Sequence, residues 1–128
     1  MNKKIILTAL VFGFIAIVLG AFGAHALKKM LSVTQLTSFE TGVKYLMYHA
    51  LFLLFVGNTS FIEMKQKKII FNLTAIGIVL FSFSIFLLTT SSISGINFKF
   101  LGPITPLGGL FLILSWALCF YYISIKKE

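Results

Sequence analysis

Four long apolar runs, separated by lysines and polar turns, organise this chain. They cover about residues 5–27, 43–60, 69–90 and 106–125, each near the roughly 20 residues that a helix needs to cross about 30 Å of hydrocarbon. Lys3 and Lys4 precede the first run, and Lys28 and Lys29 follow it. The basic start, the apolar run and Ala24-His25-Ala26 together resemble a secretory signal with its cleavage site. The run is long enough to span, however, and is read as a retained helix. The second run has a polar approach over residues 32–40 with two overlapping capping boxes, Ser32 with Gln35 and Thr37 with Glu40. A connection over about residues 58–68 carries Glu63, Lys65, Lys67 and Lys68. The third run holds Asn72, Thr74, Ser82 and Ser84 but no charge, and Pro103 and Pro106 bracket the start of the fourth. First-turn amides lack helical partners, so proline is tolerated there.

This pattern predicts one domain over residues 1–128, an all-α integral membrane protein built as an antiparallel four-helix bundle running up-down-up-down. Four spans put both termini and the second connection on one side, with Lys3, Lys4, Lys65, Lys67, Lys68, Lys126 and Lys127. Lys28, Lys29, Lys44 and Lys99 fall on the other. The excess of lysine on the first side predicts a multi-pass protein of the bacterial plasma membrane with both termini in the cytoplasm.

Composition narrows the function. The 128 residues are 59% hydrophobic and only 11% charged, where soluble domains average about 25% charged. The net charge is +8, its positive charge is wholly lysine, and the charges fall almost wholly at the ends of the apolar runs. No arginine-bearing basic face exists for nucleic acid. The expected environment is the lipid bilayer, with a second copy or another membrane protein as candidate partner. The single Cys119 excludes an internal disulfide and reads as a small buried hydrophobe.

Two sets of residues stand out inside the runs. Ala9, Gly13, Ala16, Gly20 and Ala24 form a stripe of small residues on one face of the first helix. Such a stripe permits close helix approach, either inside one bundle, the reading preferred here, or between copies. His25 and His49 both lie near predicted span ends that connectivity places in one leaflet, with Tyr45 and Tyr48 beside His49. Ser84, Thr89 and Thr105 come to the same leaflet from the third and fourth runs. A polar cluster of His25, His49, Tyr45, Tyr48, Ser84 and Thr105 is therefore expected, and intramembrane polar groups are default site candidates. The competing reading is that these groups only satisfy one another's hydrogen bonds. No aspartate exists to orient a histidine, and no carboxylate lies within an apolar run, which counts against a catalytic triad and against proton-coupled export. Two histidines and Glu40 offer at most a weak metal set without motif spacing. No metal and no cofactor is expected.

The segments 19–27 (Leu-Gly-Ala-Phe-Gly-Ala-His-Ala-Leu) and 41–50 (Thr-Gly-Val-Lys-Tyr-Leu-Met-Tyr-His-Ala) resemble the two signatures of a small family, domain of unknown function 423. Leu80-Phe81-Ser82-Phe83-Ser84, Thr105-Pro106-Leu107-Gly108-Gly109 and Trp116-Ala117-Leu118 resemble its later motifs. Leu46 stands where the family often has glutamine, Phe83 where it often has glycine, and Ser115 where glycine often precedes the tryptophan. The resemblance implies a four-span inner-membrane protein and places His25 and His49 on the family's two histidine positions. It implies no activity.

Three functional readings follow. The first is a non-enzymatic scaffold or partner-binding subunit. The second is a small-molecule or ion transporter or channel lined by His25 and His49. The third is a membrane-interface enzyme acting on lipid or quinone, which requires a cavity open to the bilayer beside His49. The balance leans away from an enzyme.

Overall fold

A computed structural model describes residues 2–127, and every regular element among them is helical. Helix α1 (Asn2–Leu27) is α-helical to Val18, passes through a π-helical turn at Leu19–Gly23 and resumes at Ala24. Helix α2 covers Val33–Asn58. Helix α3 (Met64–Thr89) has its own π-helical turn at Val79–Phe83. A short α4 (Ser91–Ser94) and a 3-10 turn (Lys99–Leu101) lead into α5 (Ile104–Ile125). α1, α3 and the segment Lys99–Ile125 are long and apolar enough to cross a membrane.

Local chemistry sets the helix ends. The Ser32 box forms in full: Ser32 Oγ accepts from the Gln35 amide at 3.1 Å and Gln35 Oε1 accepts from the Ser32 amide at 3.0 Å. The expected second box, Thr37 with Glu40, does not form. Residues from Val33 onward are already helical, so the Thr37 hydroxyl donates back to the Val33 carbonyl at 2.9 Å. Helix α3 also starts earlier than the apolar run at 69, because the Gln66 side-chain oxygen accepts from the Glu63 amide at 3.1 Å and starts the helix at Met64. This brings Lys67 into the fold rather than leaving it in a connection. Lys67 is only 4% exposed, and its ammonium donates to Asn2 Oδ1 at 3.0 Å. Lys4 sits 5.7 Å above the Phe71 ring, a second tie between the starts of α1 and α3.

Small residues set the packing. Along the extensive α1–α2 seam, Gly13 faces Ala50, Gly20 faces Val43 and Gly57 faces Ile6, so the two helices run antiparallel. Ala9 and Ala16 are buried in the same region. Across α3–α5 the backbones themselves meet. A Cβ on Gly108 would lie 2.5 Å from the Phe81 amide nitrogen and 2.8 Å from the Gly77 carbonyl oxygen. One core cluster draws Ala16 from α1, Phe39 and Leu46 from α2, Ile78 and Phe86 from α3 and Leu112 from α5. Each π-helical turn inserts a residue and rotates the face that follows it. The two turns flank the same point of α2: Gly20 abuts Val43, and Ser82 Oγ donates to the Gly42 carbonyl at 2.8 Å.

Among the described residues, no packing seam joins α1 to α5 or α2 to α5. α1 and α5 are therefore outer helices. Phe14 and Phe22 of α1 and Phe120 of α5 are 70%, 72% and 77% exposed. Apolar faces this large mark contact with lipid or protein rather than water.

Candidate functional site

The gap between α2 and α5 is the chemically distinctive part of the molecule. A cavity of about 760 Å³ lies there, open on its outer side, lined by Tyr45, Tyr48, His49, Leu51, Phe52 and Phe55 of α2 and by Trp116, Cys119, Phe120 and Ile123 of α5. A second, of about 450 Å³, adjoins it and adds Phe81, Gly109, Leu112 and Ile113. Tyr45, His49 and Trp116 line both. Ile70 of α3 packs with Phe52, Val56 and Cys119 in the core beside the larger cavity.

His49 and Trp116 bridge this gap. The Trp116 Nε1–H donates to His49 Nε2 at 3.0 Å, and His49 Nδ1 lies 2.7 Å from the Tyr45 carbonyl oxygen. An indole can only donate and a carbonyl can only accept, so His49 is neutral with its proton on Nδ1. Both ring nitrogens are thereby occupied. The imidazole meets the indole edge-on, with centroids 6.0 Å apart at 88°, while Phe52 stacks on the indole at 4.4 Å and 24°. His49 is 4% exposed, so its polar edge is sealed between two aromatic rings and its own helix.

The expected polar cluster divides into three levels. Tyr45 and Tyr48 do adjoin His49, with Tyr45–Tyr48 centroids at 5.6 Å and Tyr45–His49 at 6.4 Å. Ser84 and Thr105 form a separate pair, their hydroxyl oxygens 2.6 Å apart, with Ser84 Oγ also 2.6 Å from the Leu80 carbonyl. Thr89 bonds to the Ile85 carbonyl of its own helix at 2.8 Å. His25 stands apart from both groups and is exposed. Gly23 faces Phe39, ten residues before His49 on α2, so the two histidines are separated by about 15 Å or more at 1.5 Å rise per residue. The expectation that they meet fails because α1 and α2 align along their whole lengths: His25 lies beside the first turns of α2, whereas His49 lies beyond its middle. Glu40 lines a small recess with Gly20, Ala24, Val43 and Lys44, away from His49. Among the described residues, no three His, Cys, Asp or Glu side chains converge as a metal set would.

The small-residue positions Gly13, Ala16, Gly20 and Ala24 lie on the α2 side of α1 or beside it. Leu46 is fully buried in the core cluster, so a glutamine in its place would face apolar neighbours. The sequence reading missed Trp116 as the partner of His49. The available signal was that a lone tryptophan inside an apolar run carries an N–H requiring an acceptor.

The motif-bearing segments occupy this geometry: the first contains the α1 π-helical turn, the second contains His49, and the last contains Trp116. The family model described as "Protein of unknown function (DUF423)" matches residues 19–109. This chain belongs to the DUF423 family. It is similar to the UPF0382 membrane protein YwdK of Bacillus subtilis, 41% identical over 119 residues that cover 89% of this chain and 90% of the relative. It is similar to a UPF0382 membrane protein of Haemophilus influenzae, 33% identical over 127 residues covering 99% and 97% of the two chains. It is also similar to the inner membrane protein YgdD of Escherichia coli, 32% identical over 122 residues covering 91% and 86%. No solved structure matches. Family membership and the apolar helices together make this DUF423 chain an integral membrane protein.

Proposed function

We propose that this DUF423 protein is a four-span protein of the bacterial plasma membrane, both termini cytoplasmic, acting as a non-enzymatic scaffold or partner-binding subunit. The position of α2 supports the count of four: its apolar stretch from Leu46 to Gly57 packs between α1 and α3 at matching depth. The lysine excess on the side of the termini supports the orientation.

The functional reading rests on one observation. The buried polar side chains within the helices are occupied by one another or by backbone carbonyls, as in His49–Trp116, Ser84–Thr105, Ser82–Gly42 and Thr74–Ile70. Among the described residues no buried side-chain donor or acceptor lacks a partner. A permeation path or a catalytic centre needs polar groups held free for a visitor, whereas these groups hold helices. Crosslinking in membranes followed by blue-native electrophoresis tests the reading. The expected result is a discrete crosslinked species larger than the monomer; monomer alone, with nothing captured, contradicts it.

The lipid- or quinone-directed reading has one observation in its favour, the cavity open sideways beside His49. With both imidazole nitrogens engaged, that cavity is suited to holding an apolar molecule and not to converting one.

A further inference from the structure

The α2–α5 groove ends, on the side of the chain termini, among lysines. From Trp116 to the last residue of α5 at Ile125 is about 14 Å at 1.5 Å per residue, close to the roughly 15 Å depth of one leaflet's hydrocarbon. The groove wall over this length is aromatic and aliphatic: Phe52, Phe55, Trp116, Cys119, Phe120 and Ile123. The His49–Trp116 bridge crosses the groove at the inner end of this length, and the second cavity continues beyond it. At the groove's outer end the Lys126 ammonium donates to the Ser60 carbonyl at 3.3 Å, which sets a positive charge between the ends of α2 and α5. Lys127 follows, and both lysines line a small recess with Glu63 and Gln66; Glu128 is the next residue in the sequence.

We propose that this groove binds one anionic phospholipid of the leaflet on the termini side, an acyl chain along Phe55, Phe120 and Trp116 and the phosphate at Lys126 and Lys127. The stretch outward of the bridge matches a single leaflet rather than a whole membrane. A transmembrane helix as occupant would need an uninterrupted face of about 30 Å, and the His49–Trp116 bridge interrupts this one. The lysines supply the charge complementarity that selects an anionic headgroup over a zwitterionic one.

Trp116 is the only tryptophan, so its fluorescence reports the groove alone. The full chain is reconstituted in phosphatidylcholine vesicles containing rising fractions of dibrominated phosphatidylglycerol, or of dibrominated phosphatidylcholine with the same acyl chains. The anionic lipid is expected to reach half-maximal quenching at a fraction lower by about fivefold per engaged lysine. In a K126Q/K127Q variant, whose changes are confined to the exposed end, the two curves are expected to coincide. Coincident curves for the unaltered protein overturn the proposal, as does a preference that survives K126Q/K127Q. Weak quenching by both lipids also overturns it, since a second copy or partner helix then covers the groove. The proposal is independent of the scaffold reading: crosslinked species test that reading, and quenching at Trp116 tests this one.

Discussion

Helix α5 has two flanks, and they are built by opposite means. Against α3 it is drawn in until backbones touch at Gly77 and Gly108, with Ser84 and Thr105 bonded above them. Against α2 it is held off by aromatic side chains, and one hydrogen bond, Trp116 to His49, crosses the gap. Lipid tails are as apolar as leucine, so no hydrophobic force draws helices together in a bilayer, and shape decides the spacing. Glycine closes one flank; tryptophan and phenylalanine prop the other open.

Adding a single methyl on the closed flank is expected to do the most damage. In Gly108→Ala the new Cβ would meet the backbone of residues 80 and 81, which cannot swing aside as a side chain can. The expected loss is about 3 kcal/mol, at the upper end for overpacking, read as a fall in thermal stability in detergent. The same change at Gly42 meets the edge of the Phe86 ring, which can turn, so a smaller loss there sharpens the contrast between backbone and side-chain contact. On the open flank, His49→Phe keeps an aromatic of similar size but leaves the Trp116 N–H without its acceptor. The expected cost is about 1 kcal/mol, measured in the same thermal assay. Smallest is Ser84→Ala, which removes one interhelical bond on the closed flank and is expected to cost about 0.6 kcal/mol. If Ser84→Ala proved as damaging as Gly108→Ala, polar bonds rather than close packing would hold that flank.

Much of this was legible in the chain. The apolar runs and the Ser32–Gln35 box marked the helices, because run length and capping chemistry are local properties. The start of α3 was not, since a Glu63–Gln66 pair is an uncommon helix opening and the lysines after it resemble a connection. Helical spacing puts Tyr45 and Tyr48 beside His49, whereas connectivity brought His25 there wrongly, because it gives the leaflet and not the depth of a residue within it. The Trp116 partnership depended on the crossing of α2 and α5, helices that are not neighbours in sequence, and no local pattern encodes that. The π-helical turns were equally silent, although both fall in motif-bearing segments.

The claim that one bond spans the open flank has a direct measurement. The lone tryptophan gives a single indole N–H resonance in an isotope-labelled sample. The account predicts a downfield, slowly exchanging signal that moves upfield and loses its protection in His49→Phe while the protein stays folded. A signal that keeps its position and its protection in that variant would contradict it.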